Sequence, residues 1–405
     1  MQFFTKFKNT YLCWLFTFVF CGISFAQKPH TKKNNVVKPA ASLTKKYLNK
    51  LKTKNIGIVA NQTSIIKSKD NRLIHLVDSL LSLNISVKKV FAPEHGFRGK
   101  ADAGEIIKNG KDNKTNLPII SLYGKNKKPT AAQLANLDLV IFDIQDVGVR
   151  FYTYISTLHY VMEACAEQNI PILVLDRPNP NAHYIDGPVL EKSQKSFVGM
   201  HPVPVVYGMT IGEYAQMING ENWLKNKIQC DLTVMPIENY THNTKYSLPI
   251  KPSPNLPNSK SINLYPSLCL FEGTTISVGR GTDKQFQIFG HPAFSKIEYP
   301  FSFTPKPNEG AKNPKHKNQI CFGNDLRKET SLDHLRLKWL IASYKNYQEL
   351  NIKNPFFNTF FTKLAGTARL QKQIELGISA HKIRLGWKKA LQNFLRIRAK
   401  YLIYE

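Results

Sequence analysis

The sequence predicts an α/β protein: a parallel sheet buried on both faces, followed by a smaller α+β domain. Three observations carry this. Runs that are apolar almost without interruption recur in the first 250 residues, at 55–60 (NIGIVA), 137–144 (LDLVIFDI) and 170–175 (IPILVL), and an unbroken apolar strand is one covered on both sides. Segments with apolar residues at helical spacing separate these runs, the alternation that winds a parallel sheet. Beyond about residue 257 the texture changes to glycine-punctuated and amphipathic stretches, and 405 residues leave room for a second domain.

The first 26 residues read as a signal peptide. Lys6 and Lys8 precede an apolar run over 11–25, and Ser24 and Ala26 place small residues where a peptidase cutting before Gln27 needs them. The run is shorter than the ~20 residues that span a bilayer, and Phe20 before Cys21 does not suit lipidation. The expectation is an exported chain, periplasmic or secreted, with no stable membrane insertion after cleavage. Residues 27–43 are basic and aperiodic, a flexible tether; residues 44–250 then form the first domain and 251–405 the second.

Within the first domain, 55–60 is a strand. Residues 71–83 form a helix on Leu73, Ile74, Leu76, Val77, Leu80 and Leu81, and 87–92 is the next strand. The strand at 137–144 is the strongest in the chain. A helix over 154–168 leads to the strand 170–175, which ends at Asp176-Arg177-Pro178. Thr210 and Glu213 form a capping box opening a helix over 210–221, ahead of a strand at 230–235. Residues 240–257, rich in Pro, Asn, Lys and Ser, read as a linker. In the second domain, 301–320 reads as loop, and 331–350 and 380–401 as amphipathic helices with Trp339 and Trp387 on their core sides.

Removing the two signal-peptide lysines takes the formal charge from +28 to +26, a balance suited to carboxylate-rich partners or an anionic surface. Nucleic acid is not expected for an exported chain. Cys165, Cys230, Cys269 and Cys321 form no CxxC pair, which argues against a zinc site. One disulfide stays open, although Cys165 and Cys269 sit in apolar contexts and read as buried thiols. No GxGxxG follows the first strand, so no dinucleotide is expected, and a metal-dependent hydrolase built on His95, Asp143 and Asp176 lacks any HExxH-like spacing.

A parallel sheet delivers its strand ends to one edge, where ligands bind. That edge collects Asn61, Glu94 with His95, Asp143 with Asp146, and Asp176. The strand at 87–92 breaks at Pro93 into a loop carrying Glu94, His95, Arg98, Asp102 and Glu105. Pro93 fixes one backbone angle and Gly96 permits unusual ones, a stiff turn able to hold an acid. Residues 143–154 (DIQDVGVRFYTY) add Gln145, Asp146, Arg150, Tyr152 and Tyr154: a guanidinium that binds a carboxylate in two parallel bonds and rings on which a sugar stacks. The same stretch reads equally as Asp146 capping a helix and Arg150 in a structural ion pair. Later in the chain come Glu272, then Arg280 between Gly279 and Gly281, then Asp283; the glycines would let the guanidinium approach a ligand closely.

At this level the chain resembles the bacterial exo-β-N-acetylmuramidases of the NamZ type, formerly a family of unknown function. The residues that carry the resemblance are 92–99 (APEHGFRG), 142–154 (FDIQDVGVRFYTY), 175–180 (LDRPNP), Asp186-Gly187-Pro188, 204–213 (PVVYGMTIGE), 263–267 (NLYPS), 271–282 (FEGTTISVGRGT) and Gly290-His291-Pro292, closing with Trp387 and Tyr401-Leu402. They span nearly all of the chain after the signal. One departure is Gln285, before Phe286, where the family pattern has proline; it loosens that loop and removes no ionisable group. The resemblance implies a Rossmann-like N-terminal domain, a smaller C-terminal domain and a site in the cleft between them. It also implies release of N-acetylmuramic acid from the non-reducing end of peptidoglycan fragments, without a cofactor.

Glycoside hydrolysis calls for a carboxylic acid to protonate the leaving oxygen and a second group to supply or activate a nucleophile. Glu94 is the expected acid. Glu272, Asp146, Glu105 and Asp283 follow, in that order, for the second role, with the substrate's own 2-acetamido group as a further candidate. Arg150 or Arg280 would take the lactyl carboxylate of muramic acid, and His95 would orient Glu94 or bind a hydroxyl. Asn61, Arg98, Gln145, Tyr152 and Tyr154 complete the expected site. The partners are peptidoglycan-derived disaccharides or muropeptides. The alternative, a periplasmic muropeptide-binding protein, shares this plan without turnover; paired acids at several strand ends favour the enzyme.

Overall fold

The computed structural model describes residues 36–67, 70, 72–98 and 109–405. The expected signal segment, the tether up to residue 35, Asp102 and Glu105 lie outside the described residues. In chain order the strands of the first half are β1 (Ile56–Ala60), β2 (Ile65–Lys67), β3 (Leu73–His75), β4 (Val87–Ala92), β5 (Gly110–Lys111), β6 (Pro118–Ser121), β7 (Leu139–Asp143), β8 (Ile172–Leu175) and β9 (Leu232–Met235). Seven of them form one sheet in the order β5-β6-β4-β1-β7-β8-β9, parallel throughout except for β5. Every residue of β1, β7 and β8 is buried, as their apolar runs predict.

Counted along the chain, the six parallel strands stand in the order 3-2-1-4-5-6, that of a doubly wound sheet. The winding reverses between β1 and β7, where Ala60 pairs with Asp143 at the carboxyl ends. A crevice opens there because the connections on either side leave in opposite directions.

Several elements differ from their sequence reading, each for a local reason. Residues 71–83 split into β3, which pairs antiparallel with β2, and a helix, Leu76–Ser82. His75 ends the strand and caps the helix by accepting from the Val77 N–H, so one apolar pattern serves two elements. β6 begins on Pro118, the one strand position where a missing N–H does no harm. Helix Ser259–Leu268 carries Pro266 inside it and is opened by a capping box between Asn258 and Ser261. The expected 380–401 helix is two, Ala380–Leu385 and Lys388–Arg398, with Trp387 turned into the core between them. The expected 331–350 helix starts only at Leu337.

The second half adds an antiparallel sheet, β10 (Ile288–His291), β11 (Phe301–Phe303) and β12 (Cys321–Asp325), in the order β10-β12-β11. Its core is continuous with that of the first half, and Val37–Glu405 form one compact unit. Residues 38–43, read as tether, are docked: Lys38 pairs with Glu238, Ala40 donates to the Asp176 carbonyl, and Ala40 and Ala41 are fully buried. Cys165, Cys230, Cys269 and Cys321 are buried free thiols, which closes the question of a disulfide among them. Among the described residues no helix is long and apolar enough to cross a membrane.

Candidate active site

The carboxyl ends of β4 and β7 open into a cleft of about 290 Å³, lined from both halves of the chain. Glu94 and His95 enter it from the turn after β4, and Phe151, Tyr152 and Thr153 from the segment after β7. Tyr265, Glu272, Arg280 and Phe286 face them from the second half. The segment read as a linker forms another wall. Tyr152 Oη and Gln62 Nε2 donate to the Pro252 carbonyl at 2.9 and 3.0 Å, which fixes Ser253, Asn255 and Leu256 along the cleft.

The turn holding Glu94 is as stiff as Pro93 implies. His95 takes φ +71°, a left-handed conformation that costs a non-glycine residue of order 1 kcal/mol or more. Thr153 Oγ1 donates to Glu94 Oε2 at 2.6 Å. Thr153 is the N-cap of helix Tyr154–Glu167 yet makes no capping bond, because its hydroxyl is spent on Glu94. Tyr123, just after β6, also hydrogen-bonds Glu94; burial and then the Glu94 charge push its phenol well above the ordinary tyrosine range. Neither Thr153 nor Tyr123 was among the expected site residues. Thr153 sat unremarked between two tyrosines, and Tyr123 follows a strand that its opening proline concealed.

Glu272 lies in the 3-10 turn Cys269–Gly273, and its Oε1 accepts from Arg280 Nε at 3.1 Å. The Arg280 guanidinium also rests 5.0 Å from the centre of the Phe286 ring. Gly279 and Gly281 both have φ +78° and face the Lys284 and Lys306 carbonyls so closely that a Cβ would collide. Their role is to fold the Arg280 loop tightly rather than to admit a ligand. Cys269 also lines the cleft, its thiol pushed up to about 12 by burial and then by the Glu272 charge, and is unreactive as a nucleophile.

The remaining expected residues are placed elsewhere. Asn61 is fully buried, donating to Tyr154 Oη at 2.8 Å and accepting from Thr63; it ties β1 to the helix behind the cleft, and Tyr154 is committed with it. Gln145 Nε2 donates to the Asp146 and Pro178 carbonyls. Arg150 is fully buried and makes neither a carboxylate contact nor an ion pair: its guanidinium donates to the carbonyls of Pro188, Val203, Leu364 and Ala365. Arg98 stacks over Phe97 and forms a two-pronged pair with Asp112, away from the cleft. Asp283 is an exposed side chain paired with Lys284. Asp143 is clamped by Arg177 at 2.6 and 2.9 Å. Asp176 accepts from Thr210, Gly212 and Tyr404. Among the described residues no group of three or more His, Cys, Asp or Glu is placed to hold a metal ion.

Asp146 is also behind the cleft rather than in it. Its Oδ2 accepts from the Gly148 N–H at 2.6 Å and from Tyr207 Oη, while Oδ1 has no partner. Burial pushes its carboxyl up to about 6, against the pull of the Tyr207 hydroxyl and of the Gly148 and Val147 N–H groups. A carboxyl whose folded value lies above its unfolded one, about 3.9, holds its proton more tightly in the folded state. Its contribution to stability therefore declines as pH rises from about 4 to about 6 and is flat above that. Asp146→Asn is expected to keep kcat within about twofold of wild type. Its Tm advantage should widen between pH 4 and pH 6; parallel Tm curves, or a large loss of kcat, would return Asp146 to the list of catalytic candidates.

The N-terminal family model for exo-β-N-acetylmuramidase NamZ matches residues 56–260, and the C-terminal model matches 263–404. The chain belongs to the NamZ family. It is similar to the peptidoglycan β-N-acetylmuramidase NamZ of Bacillus subtilis (strain 168), with 38% identity over 403 residues that cover 93% of this chain and 94% of that one. Two crystal structures of DUF1343 family proteins from Bacteroides fragilis NCTC 9343 share the fold. One is 46% identical with a TM-score of 0.82, the other 27% identical with a TM-score of 0.77. Each covers 91% of this chain and 99% of its own. In this NamZ-family chain the two carboxylates that line the cleft among the described residues, Glu94 and Glu272, come one from each family half.

Proposed function

We propose that this chain is an exo-β-N-acetylmuramidase that hydrolyses the glycosidic bond of a non-reducing terminal N-acetylmuramic acid in peptidoglycan fragments. The observation that carries this is the pairing of Glu94 and Glu272 across one cleft with unlike partners. The described partners of Glu94 include two neutral hydroxyls, Thr153 and Tyr123, which hold its carboxyl at the cleft. Glu272 is paired with the Arg280 guanidinium. One carboxyl set among hydroxyls and one set against a cation are unlike groups, and we assign them unlike roles. Glu94 protonates the leaving oxygen; Glu272 presents negative charge to the oxocarbenium-like centre that develops as the bond breaks.

Arg280 supports the choice of sugar. With Nε on Glu272, its remaining edge is available to the lactyl carboxylate that distinguishes muramic acid from N-acetylglucosamine. Tyr152, Tyr265 and Phe286 supply apolar ring surface around it. The order of basic, apolar and small residues over 1–26 supports export with a cut after Ala26, which brings the enzyme to its substrate.

The test is to incubate the protein with the disaccharide MurNAc-GlcNAc and follow products by mass spectrometry. Free MurNAc is expected from wild type, no cleavage to GlcNAc of the GlcNAc-GlcNAc disaccharide that lacks the lactyl group, and a loss on the order of a hundredfold in Glu272→Gln. Tight binding of the disaccharide without release would make the chain a binding protein and overturn the proposal.

A further inference from the structure

Glu272 stands on a turn that its own segment holds only in part: the Phe271 carbonyl accepts from the Thr274 N–H at 2.9 Å and from Thr274 Oγ1 at 2.8 Å. For the other carbonyls up to Ile276 the donors come from elsewhere in the chain. The Gly273 carbonyl accepts from the Asn358 N–H at 2.9 Å. Lys315 Nζ reaches four of the others: Phe271 O at 3.1 Å, Glu272 O at 3.1 Å, Thr274 O at 2.7 Å and Ile276 O at 3.3 Å. The Thr275 carbonyl bonds His316 Nε2 at 2.6 Å. One dipeptide, Lys315-His316, thus satisfies five of six successive carbonyls.

Four carbonyl dipoles turned toward one point repel each other unless a cation sits there, and an ammonium, with three protons for four acceptors, holds them all at once. We propose that Lys315 is a positioning residue: it fixes the turn that aims Glu272 into the cleft. Lys315 itself does not line the cleft, so it acts through Glu272 rather than on the substrate. The inference rests on the muramidase reading above. It also gives a role to the Pro-, Asn- and Lys-rich chain that follows β11: Lys315 makes it the strut behind Glu272.

The experiment compares wild type, Lys315→Met and Lys315→Arg on MurNAc-GlcNAc, with Tm recorded for each. Misplacing a reacting group by an ångström costs on the order of a hundredfold, so Lys315→Met is expected to lose about that factor in kcat with KM within about twofold. Ammonium chloride, but not sodium chloride at equal ionic strength, should restore part of the loss by filling the carbonyl cradle. A folded Lys315→Met chain with wild-type kcat, or with KM alone raised, overturns the assignment. Should Lys315→Met fail to fold, Lys315→Arg decides. Its planar fork cannot meet four carbonyls around a point, so kcat is expected to drop at unchanged KM, and wild-type kcat overturns the proposal. A wild-type chain that releases no MurNAc overturns the muramidase reading instead, and this arm separates the two failures.

Discussion

Glu94→Gln is expected to lower the rate of MurNAc release by about 10²–10⁴-fold, the range a general acid contributes. The substitution is close to isosteric, and Thr153 Oγ1 is able to keep donating to the remaining side-chain oxygen, so Tm should stay within a degree or so of wild type. The loss should depend on the leaving group. A substrate whose departing alcohol has a pKa of about 7 needs little protonation, and the variant should recover most of its rate on such an aryl glycoside while wild type gains little. A loss below about tenfold on the natural disaccharide, under ~1.4 kcal/mol of barrier, sinks the role of Glu94. An equal loss on both substrates would leave it essential but not as the acid, and Glu272 would be tested in its place.

Arg150→Met should give the largest loss of stability. The guanidinium is fully buried and binds four backbone carbonyls, two from the loops at Pro188 and Val203 and two, Leu364 and Ala365, from a short helix of the second half. Burial alone draws its pKa down to about 9, so the cation is tolerated only because those oxygens surround it. A buried ion pair is replaceable when both partners become apolar; carbonyls cannot be replaced. Methionine would fill much of the volume and leave them unsatisfied, at a cost of about 4 kcal/mol. For a chain of this size that is a fall in Tm of about 5–10 °C, measurable by calorimetry. A fall of less than about 2 °C would mean that water reaches those oxygens and that Arg150 is not the pin it is drawn as.

Much of the fold was legible because burial on two faces leaves an unmistakable mark: β1, β7 and β8 read as strands with no structural help. The capping box at Thr210 and Glu213 was equally plain, a purely local interaction. Elements whose identity depends on distant partners were not. Leu73 to His75 carries helical spacing but is a strand because β2 lies beside it. The site divides along the same line. Glu94, His95, Tyr152, Glu272 and Arg280 line the cleft, and all five stand in motifs that mix polar or glycine residues with aromatic or apolar ones. Arg150, Asn61 and Gln145 stand in such motifs too, yet they point inward to satisfy backbone and side-chain groups. Composition cannot tell a guanidinium meant for a substrate carboxylate from one meant for four carbonyls. Lys315 is the converse: its loop reads as filler, and only the convergence of oxygens on its ammonium gives it away.

Tyr404 closes the far side of the first sheet. Its hydroxyl donates to Asp176 at the end of β8 and accepts from the Ile237 N–H just past β9, while the Ile403 and Tyr404 N–H groups donate to Glu213. Ile237 and Tyr404 are 167 residues apart. A ribosome adding ~5–20 residues per second needs roughly ten to thirty seconds to make that stretch. Until then Asp176 and Glu213 lack these partners, and the nascent first half waits unfinished. The two halves are consequently completed together rather than in succession, and a chain cut short before Ile403 lacks the donors that Asp176 and Glu213 take from its end.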